Sequence, residues 1–268
     1  MLCACVMHFV CMHFVPNPYI LLIVRYTSQA IWTFDSTAIV FTAFPVEPRR
    51  LGVRFYNTRK SRIGILPAPT FLTPTPPQPP RQGLSTSAST PASITDCIRW
   101  LSAEEDWSAR NPKISPDGSK IIYVVSANST AHFSCSKLVC AAWPKGPTSS
   151  IGLLETRTVL DVVHIPSSAS GFPGLFLAAE QLPRRVWLGD SRRLVLHTDW
   201  RSRRELIVVD TDAQDTAAFQ RLRLDEKELD VSFSPLARTT KKTKNASLVL
   251  YTPTPNTPHT LSPRLFLH

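Results

Sequence analysis

Three residues in the C-terminal half of this sequence, Ser191, His197 and Asp199, are of the types that serine hydrolases use for nucleophilic catalysis. In such an enzyme a histidine takes the proton of the serine hydroxyl, and a carboxylate orients the histidine. The α/β type also needs a glycine two residues to either side of the serine, because the backbone turns sharply there. No two of the 9 glycines are four residues apart, so the sequence lacks this nucleophile elbow. We therefore assign no catalytic residue.

Glycine spacing also excludes the common phosphate-binding loops. The sequence contains no Gly-x-Gly and no pair of glycines five residues apart, and the dinucleotide and nucleoside triphosphate motifs require these spacings. No cofactor-binding residue is assigned, and no cofactor is expected.

A metal site is conceivable at His132, Cys135 and Cys140, whose spacing would allow three ligands on one hairpin. Structural zinc takes four ligands, usually with closer cysteine pairs, and no fourth candidate lies nearby. A buried cysteine acting as a small apolar residue is the commoner case. No metal ligand is therefore assigned.

The six cysteines are irregularly placed, which favours reduced thiols and a cytoplasmic location over a disulfide framework.

The formal net charge of +10 comes from scattered arginines and short clusters. A basic stripe and the aromatic and glycine signatures of RNA- or DNA-binding modules are absent, so no nucleic-acid partner is expected.

The first 24 residues are largely apolar, but two prolines, two histidines and an asparagine interrupt them, and no basic residue precedes them. These features argue against a signal or membrane anchor, and no membrane partner is expected.

Residues 67–92 include eight prolines among twenty-six residues and should be polyproline-like or disordered. Residues 236–245 and 252–258 are two further loose regions. The rest of the chain consists of short β-type runs bounded by turn residues. Residues 98–107 and 178–182 have helix-like patterns but are too short to anchor a helical fold. The predicted strands are 38–44, 52–56, 120–126, 159–164, 193–197, 205–210 and 247–251.

Related turns precede three of these strands. Ser115-Pro-Asp-Gly118 precedes one, Trp187-Leu-Gly-Asp190 a second, and Phe34-Asp-Ser-Thr37 a weaker third. Asp and Ser cap their own backbone in a tight turn, and a repeated turn of this kind predicts propeller blades. The 73 and 82 residues between the aspartates exceed a usual blade, and one insertion explains only the larger interval. An unrelated β-sandwich with three similar hairpins is the alternative.

Three stretches resemble the propeller of acylaminoacyl-peptidases, which belong to the prolyl oligopeptidase clan of serine peptidases. The first is Glu47-Pro-Arg-Arg-Leu-Gly-Val-Arg54, followed by Asn57, Arg59 and Ser61. The second is Asn111-Pro-Lys-Ile-Ser-Pro-Asp-Gly118, with Cys135-Ser-Lys-Leu138 and Trp143. The third, which is the longest, runs through Leu182-Pro, Trp187, Asp190-Ser-Arg-Arg-Leu-Val-Leu196 and Arg201-Ser-Arg-Arg-Glu-Leu-Ile-Val-Val-Asp210.

This resemblance implies a seven- or eight-bladed propeller that caps an α/β-hydrolase domain, restricts entry to short peptides and lies in an enzyme that releases N-acylated residues. The hydrolase part, with its triad, would lie beyond His268. We therefore expect an all-β, incomplete propeller of roughly four blades, with a disordered Pro-rich insert and an unstructured N-terminus. Its segments would be 1–33, apolar and unmatched; 34–66, a blade segment; 67–95, the Pro/Ser/Thr-rich insert; and 96–268, further blades.

The leading hypothesis is a noncatalytic propeller fragment that is inactive alone. Short N-acylated peptides would be its partners only within a full-length parent, and a homo-oligomer is left open. Exposed blade faces predict poor solubility or dependence on a partner. The rivals are a stand-alone propeller that acts as a protein-interaction scaffold, and a membrane-anchored or secreted protein that uses the first 24 residues.

Overall fold

A computed structural model describes residues 30–44, 60–67, 98–105, 108–126, 135–146, 150–166, 171–177, 182–183, 185–201, 204–213 and 219–222, and the backbone of 203, 234–238, 246–254 and 257–267. Within these residues every regular element is a β-strand, and the strands form four antiparallel sheets. The predicted all-β class and the roughly four blades are confirmed. The N-terminal segment up to residue 29 and residues 68–95 of the predicted insert lie outside the described residues.

The first two sheets have four strands each. In the first, the strands follow one another in chain order: β1 Ile31–Trp32, β2 Ala38–Ala43, β3 Arg62–Pro67 and β4 Arg99–Trp100. The second repeats this order with β5 Ser108–Ile114, β6 Lys120–Ser126, β7 Lys137–Ala142 and β8 Thr156–Leu160.

The other two sheets have three strands each. The third consists of β9 Arg193–Trp200, β10 Arg203–Asp210 and β11 Phe219–Arg221, and the fourth of β12 Ser234–Arg238, β13 Ala246–Thr254 and β14 Thr257–Leu267. Two short pieces of chain take the inner position of the third sheet. Trp187 forms a bridge to Leu194, and the N–H of Asp199 donates to the Phe176 carbonyl at 3.1 Å.

The three related turns fall at the same place in three successive sheets. Each turn leads from the innermost strand or segment into the second strand, that is, into β2, β6 or β9. Each interval between aspartates is therefore a single blade. The 82-residue interval contains the long connection between β3 and β4, where the Pro-rich segment lies, and the 73-residue interval contains the connection from β8 to Trp187.

Strand β6 lies between two apolar cores. Successive side chains of a strand point to opposite faces, and in β6 both faces are buried. Ile121, Tyr123 and Val125 pack with the first sheet. Ile122 and Val124 pack with the third sheet and with the connection that carries Phe172 and Leu175. The blades are thus stacked face to face, and the second sheet is the middle layer of the first three.

Strand β5 was not predicted, because its sequence Ser-Ala-Arg-Asn-Pro-Lys-Ile looks unlike a strand. Its pairing with β6 shifts register between Arg110 and Lys113, which is a β-bulge. Asn111 takes a left-handed φ of 58° there. Bulges accommodate both left-handed residues and proline, so this strand tolerates Pro112.

Some predicted boundaries need correction. Strand β8 covers 156–160 rather than 159–164, because the Asp161 carboxylate accepts a bond from the Val162 N–H at 2.7 Å and ends the strand. Residues 99–100 pair with β3 and are not helical. Strand β1 lies at residues 31–32, before the expected start of the first blade segment at residue 34. The loose regions are shorter than predicted, since 236–238, 252–254 and 257–258 belong to β12, β13 and β14.

Candidate functional site

The three turns share one hydrogen-bonding pattern over six residues, which are 33–38, 115–120 and 188–193. The first residue donates its N–H to the sixth carbonyl: Thr33 to Ala38 at 3.0 Å, Ser115 to Lys120 at 2.8 Å and Leu188 to Arg193 at 2.8 Å. The fourth N–H donates to the first carbonyl: Ser36 to Thr33, Gly118 to Ser115 and Ser191 to Leu188. The similarity inferred from sequence is therefore a similarity of geometry.

The aspartate at the third position caps each turn. Asp35, Asp117 and Asp190 each accept a hydrogen bond from the N–H two residues later, at 3.0 to 3.1 Å. This is the Asx-turn contact that favours aspartate in tight turns.

The third turn compensates for a missing hydroxyl. In the second turn the Ser115 hydroxyl accepts from the Lys120 N–H at 2.9 Å and donates to Asp117 at 2.6 Å. Leu188 has no hydroxyl, so the Arg193 N–H donates to the Asp190 carboxylate instead, at 2.9 Å. The N–H of the sixth residue thus keeps a partner in both versions of the turn.

These contacts set the ionisation of the turn carboxylates. Desolvation acts to raise the pKa of Asp117, but hydrogen bonds from Ser115, Ser119 and Ser191 outweigh it and lower that pKa to about 2. The pKa of Asp190 is also lowered: desolvation opposes the shift, and hydrogen bonds from Arg193 and Arg192 dominate. The turns therefore carry fixed negative charges at neutral pH.

Neighbouring turns touch one another. The Phe34 side chain lies against Gly118, where a β-carbon would come within 3.1 Å of Phe34 Cβ. The Asp117 N–H donates to Ser191 Oγ at 3.2 Å. The turns therefore form a continuous arc at one end of the stacked blades, which we call the turn face. Phe34 is 72% exposed on it.

A second polar cluster lies at the same end, between the second and third blades. Lys120 Nζ, at the start of β6, donates to Asp212 Oδ1 at 2.7 Å and to Thr211 Oγ1 at 3.3 Å. Arg157, on β8, donates to the carbonyl oxygens of Ala213 and Thr211. We call the segment 211–213, which follows β10, the strap.

Arg192 of the third turn ties the strap to its own blade. Its guanidinium bonds both carboxylate oxygens of Asp210 at 2.6 to 3.0 Å, and its carbonyl accepts from the Thr211 N–H at 3.0 Å. The two side chains that donate to the strap, Lys120 and Arg157, thus belong to the second blade, whereas the strap belongs to the third.

The structure does not assemble Ser191, His197 and Asp199 into a triad. Ser191 belongs to the turn, whereas His197 is the fifth residue of β9, so about 13 Å of strand separates the two. Asp199 forms an ion pair with Arg204 at 3.4 Å. Among the described residues, His197 Nδ1 is buried without a hydrogen-bond partner. Burial, then the Arg204 charge, lowers the pKa of His197 to about 4, although Asp199 opposes the shift.

The cysteines of the conceivable metal site lie in different surroundings. Cys135 precedes β7 and lies against Gly174, while Cys140 is in the core between the second and third blades. Burial raises the pKa of the Cys140 thiol. His132 lies outside the described residues. In the part of the chain that the structure describes, no three His, Cys, Asp or Glu side chains gather as a metal site would require.

Lys120, Arg157 and the strap were not singled out from sequence. Their partners are 54 to 92 residues away along the chain, and nothing in a local pattern reports such pairs. The described residues also include no helix of the length and apolarity needed to cross a membrane.

Comparison with known proteins gives a consistent result. Residues 25–238 match the family model described as the N-terminal domain of acylamino-acid-releasing enzyme. The chain is 27% identical over 183 residues to the acylamino-acid-releasing enzyme of Sus scrofa. This alignment covers 68% of this chain and 20% of the relative. The rice enzyme, acylamino-acid-releasing enzyme 1 of Oryza sativa, is 26% identical over 221 residues, covering 78% of this chain and 26% of the relative. The chain thus spans about a fifth to a quarter of the length of these relatives.

A solved structure supports the fold. The crystal structure of a mutant puromycin hydrolase complexed with PGG aligns with a TM-score of 0.50 and 15% identity, over 84% of this chain and 28% of that one.

Proposed function

Because this chain belongs to the acylamino-acid-releasing enzyme N-terminal domain family, we propose that it is the noncatalytic propeller part of a serine peptidase that releases N-acylated amino acids from short peptides. In this proposal the propeller restricts access to an α/β-hydrolase domain that supplies the catalytic residues. The observation that carries the proposal is the extent of the family match, which runs through all strands of the first three blades and ends with β12.

The geometry supports a noncatalytic role for these blades. The serine, histidine and aspartate that could be drawn as a triad lie on one strand and its turn, and two of them are engaged in structural contacts. The turn carboxylates are likewise committed to capping their own backbone.

A gating role is supported by the way the blades pack. Both faces of β6 are buried between neighbouring sheets, and turns of successive blades touch at the turn face. A closely packed wall of blades is suited to excluding substrates by their size. Short N-acylated peptides are accordingly the proposed substrates of the parent enzyme.

The first test is to sequence the native transcript past the codon for His268. We expect the reading frame to continue into an α/β-hydrolase sequence that contains Gly-x-Ser-x-Gly. A stop codon directly after His268 would contradict the peptidase role of this product, and a protein-interaction role would then be the better interpretation.

The second test separates catalysis from gating. The 268-residue chain alone should release no p-nitroaniline from N-acetylalanine p-nitroanilide, whereas the full-length product should. The full-length product should also cleave N-acetylated peptides with a sharp upper limit of length. Equal rates for short and long peptides would contradict gating and leave the family assignment unaffected.

We also propose a cytoplasmic location, which rests on the irregular placement of the cysteines. Fractionation of cells that express the tagged chain tests this location. Recovery with membranes or in the medium would contradict it.

A further inference from the structure

The seam between the second and third blades is closed differently from the seam between the first and second. At the first seam, Phe34 packs on Gly118 and the Leu154 N–H donates to the Leu101 carbonyl at 3.0 Å. At the second seam, two cations, Lys120 and Arg157, reach across to the strap. The second closure is therefore electrostatic.

The two side chains that bind the strap, Lys120 and Arg157, are neighbours of Cys140 in the second sheet. In the strand register, Arg157 is opposite Cys140, and Ile122 is opposite Cys140 on the other side. Lys120 is two residues from Ile122 and shares its face of the sheet. This is the face that packs on the third blade. The charges of Lys120, Arg157 and Asp212 all act on the pKa of the Cys140 thiol, which is consistent with their lying close around it.

The ion pair that joins the strap to the second blade is weak compared with the apolar core of this seam. The Lys120 and Asp212 side chains are 23% and 47% exposed, and exposed ion pairs contribute about 0 to 1 kcal/mol and are screened by salt. The core on this seam is a large apolar cluster. Of the strap residues, Ala213 packs against the margin of this cluster, and Thr211 is buried and hydrogen-bonded to Arg192 of its own blade. A segment held to its neighbour mainly by polar contacts opens locally at lower free energy than the fold as a whole.

We propose that the strap, residues 211–213, is an electrostatic closure that opens independently of the blades and controls solvent access to the turn-face end of this seam. Opening breaks the bonds from Lys120 and Arg157, separates Thr211–Ala213 from β6 and β8, and admits solvent to Cys140. The other end of the seam, where Cys135 lies against Gly174, stays closed in this motion.

Thiol alkylation measures the opening directly in the full chain. Cys140 is 6% exposed, so N-ethylmaleimide reaches it only in an open state. Trypsin releases Cys140 in the peptide 138–145 and Cys135 in the separate peptide 121–137, which becomes 114–137 in Lys120→Met because the site after residue 120 is lost. Mass spectrometry of the digest therefore gives both alkylation rates from one sample. The synthetic peptide 138–145, alkylated in the same buffers, corrects for intrinsic reactivity.

We expect Lys120→Met to raise the corrected alkylation rate of Cys140 about two- to fivefold, and 1 M NaCl to have a similar effect on the unmodified chain. The rate at Cys135 should not change. Arg204→Met is the matched control, because it removes one positive charge from a pair within the third blade, and it should leave both rates unchanged.

Two results would overturn the proposal. The first is a Cys140 rate that depends on neither salt nor Lys120. The second is a parallel rise at Cys135 and Cys140, which would mean that the whole seam or the whole fold opens. The salt series on the unmodified chain decides between the outcomes even if Lys120→Met does not fold.

Discussion

At the residue scale, the fourth position of each turn carries the strongest backbone constraint. Ser36, Gly118 and Ser191 have φ values of 57°, 73° and 54° there, a left-handed region that costs most side chains free energy. The two serines show that a small polar side chain is compatible with the turn. Gly118 differs from them, because the neighbouring Phe34 fills the space that a β-carbon would need.

Gly118→Ala should therefore destabilise the chain by about 1 to 3 kcal/mol, from left-handed strain and the clash with Phe34. Urea unfolding followed by tryptophan fluorescence measures the change. Gly189→Ala is the control: a β-carbon at Gly189 meets nothing within 4 Å, so its effect should be much smaller. Equal effects of the two substitutions would contradict the role assigned to Phe34.

His197 should make stability depend on pH between about 6.5 and 4. Its pKa is about 4 in the folded chain and 6.5 when unperturbed, so in this range the unfolded state binds the proton first. Stability is therefore full above pH 6.5 and falls as the pH drops towards 4, by up to about 3 kcal/mol.

Urea midpoints at several pH values test this contribution. In His197→Leu the loss between pH 6.5 and 4 should largely disappear, whereas the exposed His164 replaced by Gln should leave it unchanged. A His197→Leu curve parallel to that of the unmodified chain would show that another group is responsible.

At the scale of the elements, burial on two faces distinguishes the inner strands from the outer ones. Every residue of β6 after Lys120 is buried. Outer strand β8 alternates between exposed and partly exposed residues over its first three positions. A continuous run of apolar residues is therefore typical of a strand packed between two blades. Alternation of exposed and partly exposed residues is typical of an outer strand.

Ile121→Ala and Ile122→Ala should each destabilise the chain by about 2 to 5 kcal/mol, because each leaves a cavity in a different core. Thr158→Ala, on the exposed side of β8, should change the free energy of unfolding by less than about 0.5 kcal/mol. Urea unfolding compares the three variants. A small effect for either isoleucine would mean that the corresponding blade does not pack on that face.

At the scale of the whole molecule, the turn face concentrates carboxylates whose pKa values lie below normal. They are Asp35, Asp117, Asp190 and Asp210. Hydrogen bonds from Thr33 and Thr37 lower the pKa of Asp35, although some desolvation opposes them. The pKa of Asp210 is lowered chiefly by the hydrogen bond from Arg192. The same end carries the strap, so charge there joins the second and third blades.

Acid should weaken this end of the molecule. A carboxyl whose pKa is lowered by folding stabilises the fold at pH values above its unfolded pKa of 3.8. That contribution is lost as the pH falls through the folded pKa, which is about 2 for Asp117. We expect a steep loss of stability between about pH 4 and 2, measured by acid unfolding. Asp117→Asn should be less stable than the unmodified chain at pH 6, and the two should converge near pH 2. A constant difference over this range would contradict the assigned pKa.

Local sequence was sufficient for the strand class, the turns and the family. The aspartate, the small residue and the apolar run that follow one another at residues 35, 117 and 190 encode a turn and a strand by contacts within six residues. Such contacts can be read from spacing alone. The arginine-rich first stretch and the long third stretch likewise carry the family resemblance without any knowledge of packing.

Only the tertiary structure decided which strands are neighbours and what closes the seams. β5 was missed because its strand character comes from pairing with β6 around a bulge, not from its own residue types. The length of one blade was misjudged because the connection from β8 to Trp187 folds back into the core and adds no blade. Lys120 and Asp212 are 92 residues apart in the chain, and contacts at such separations depend on how whole sheets stack. Stacking buries apolar surface without direction, so the sequence of any single strand does not specify its partner.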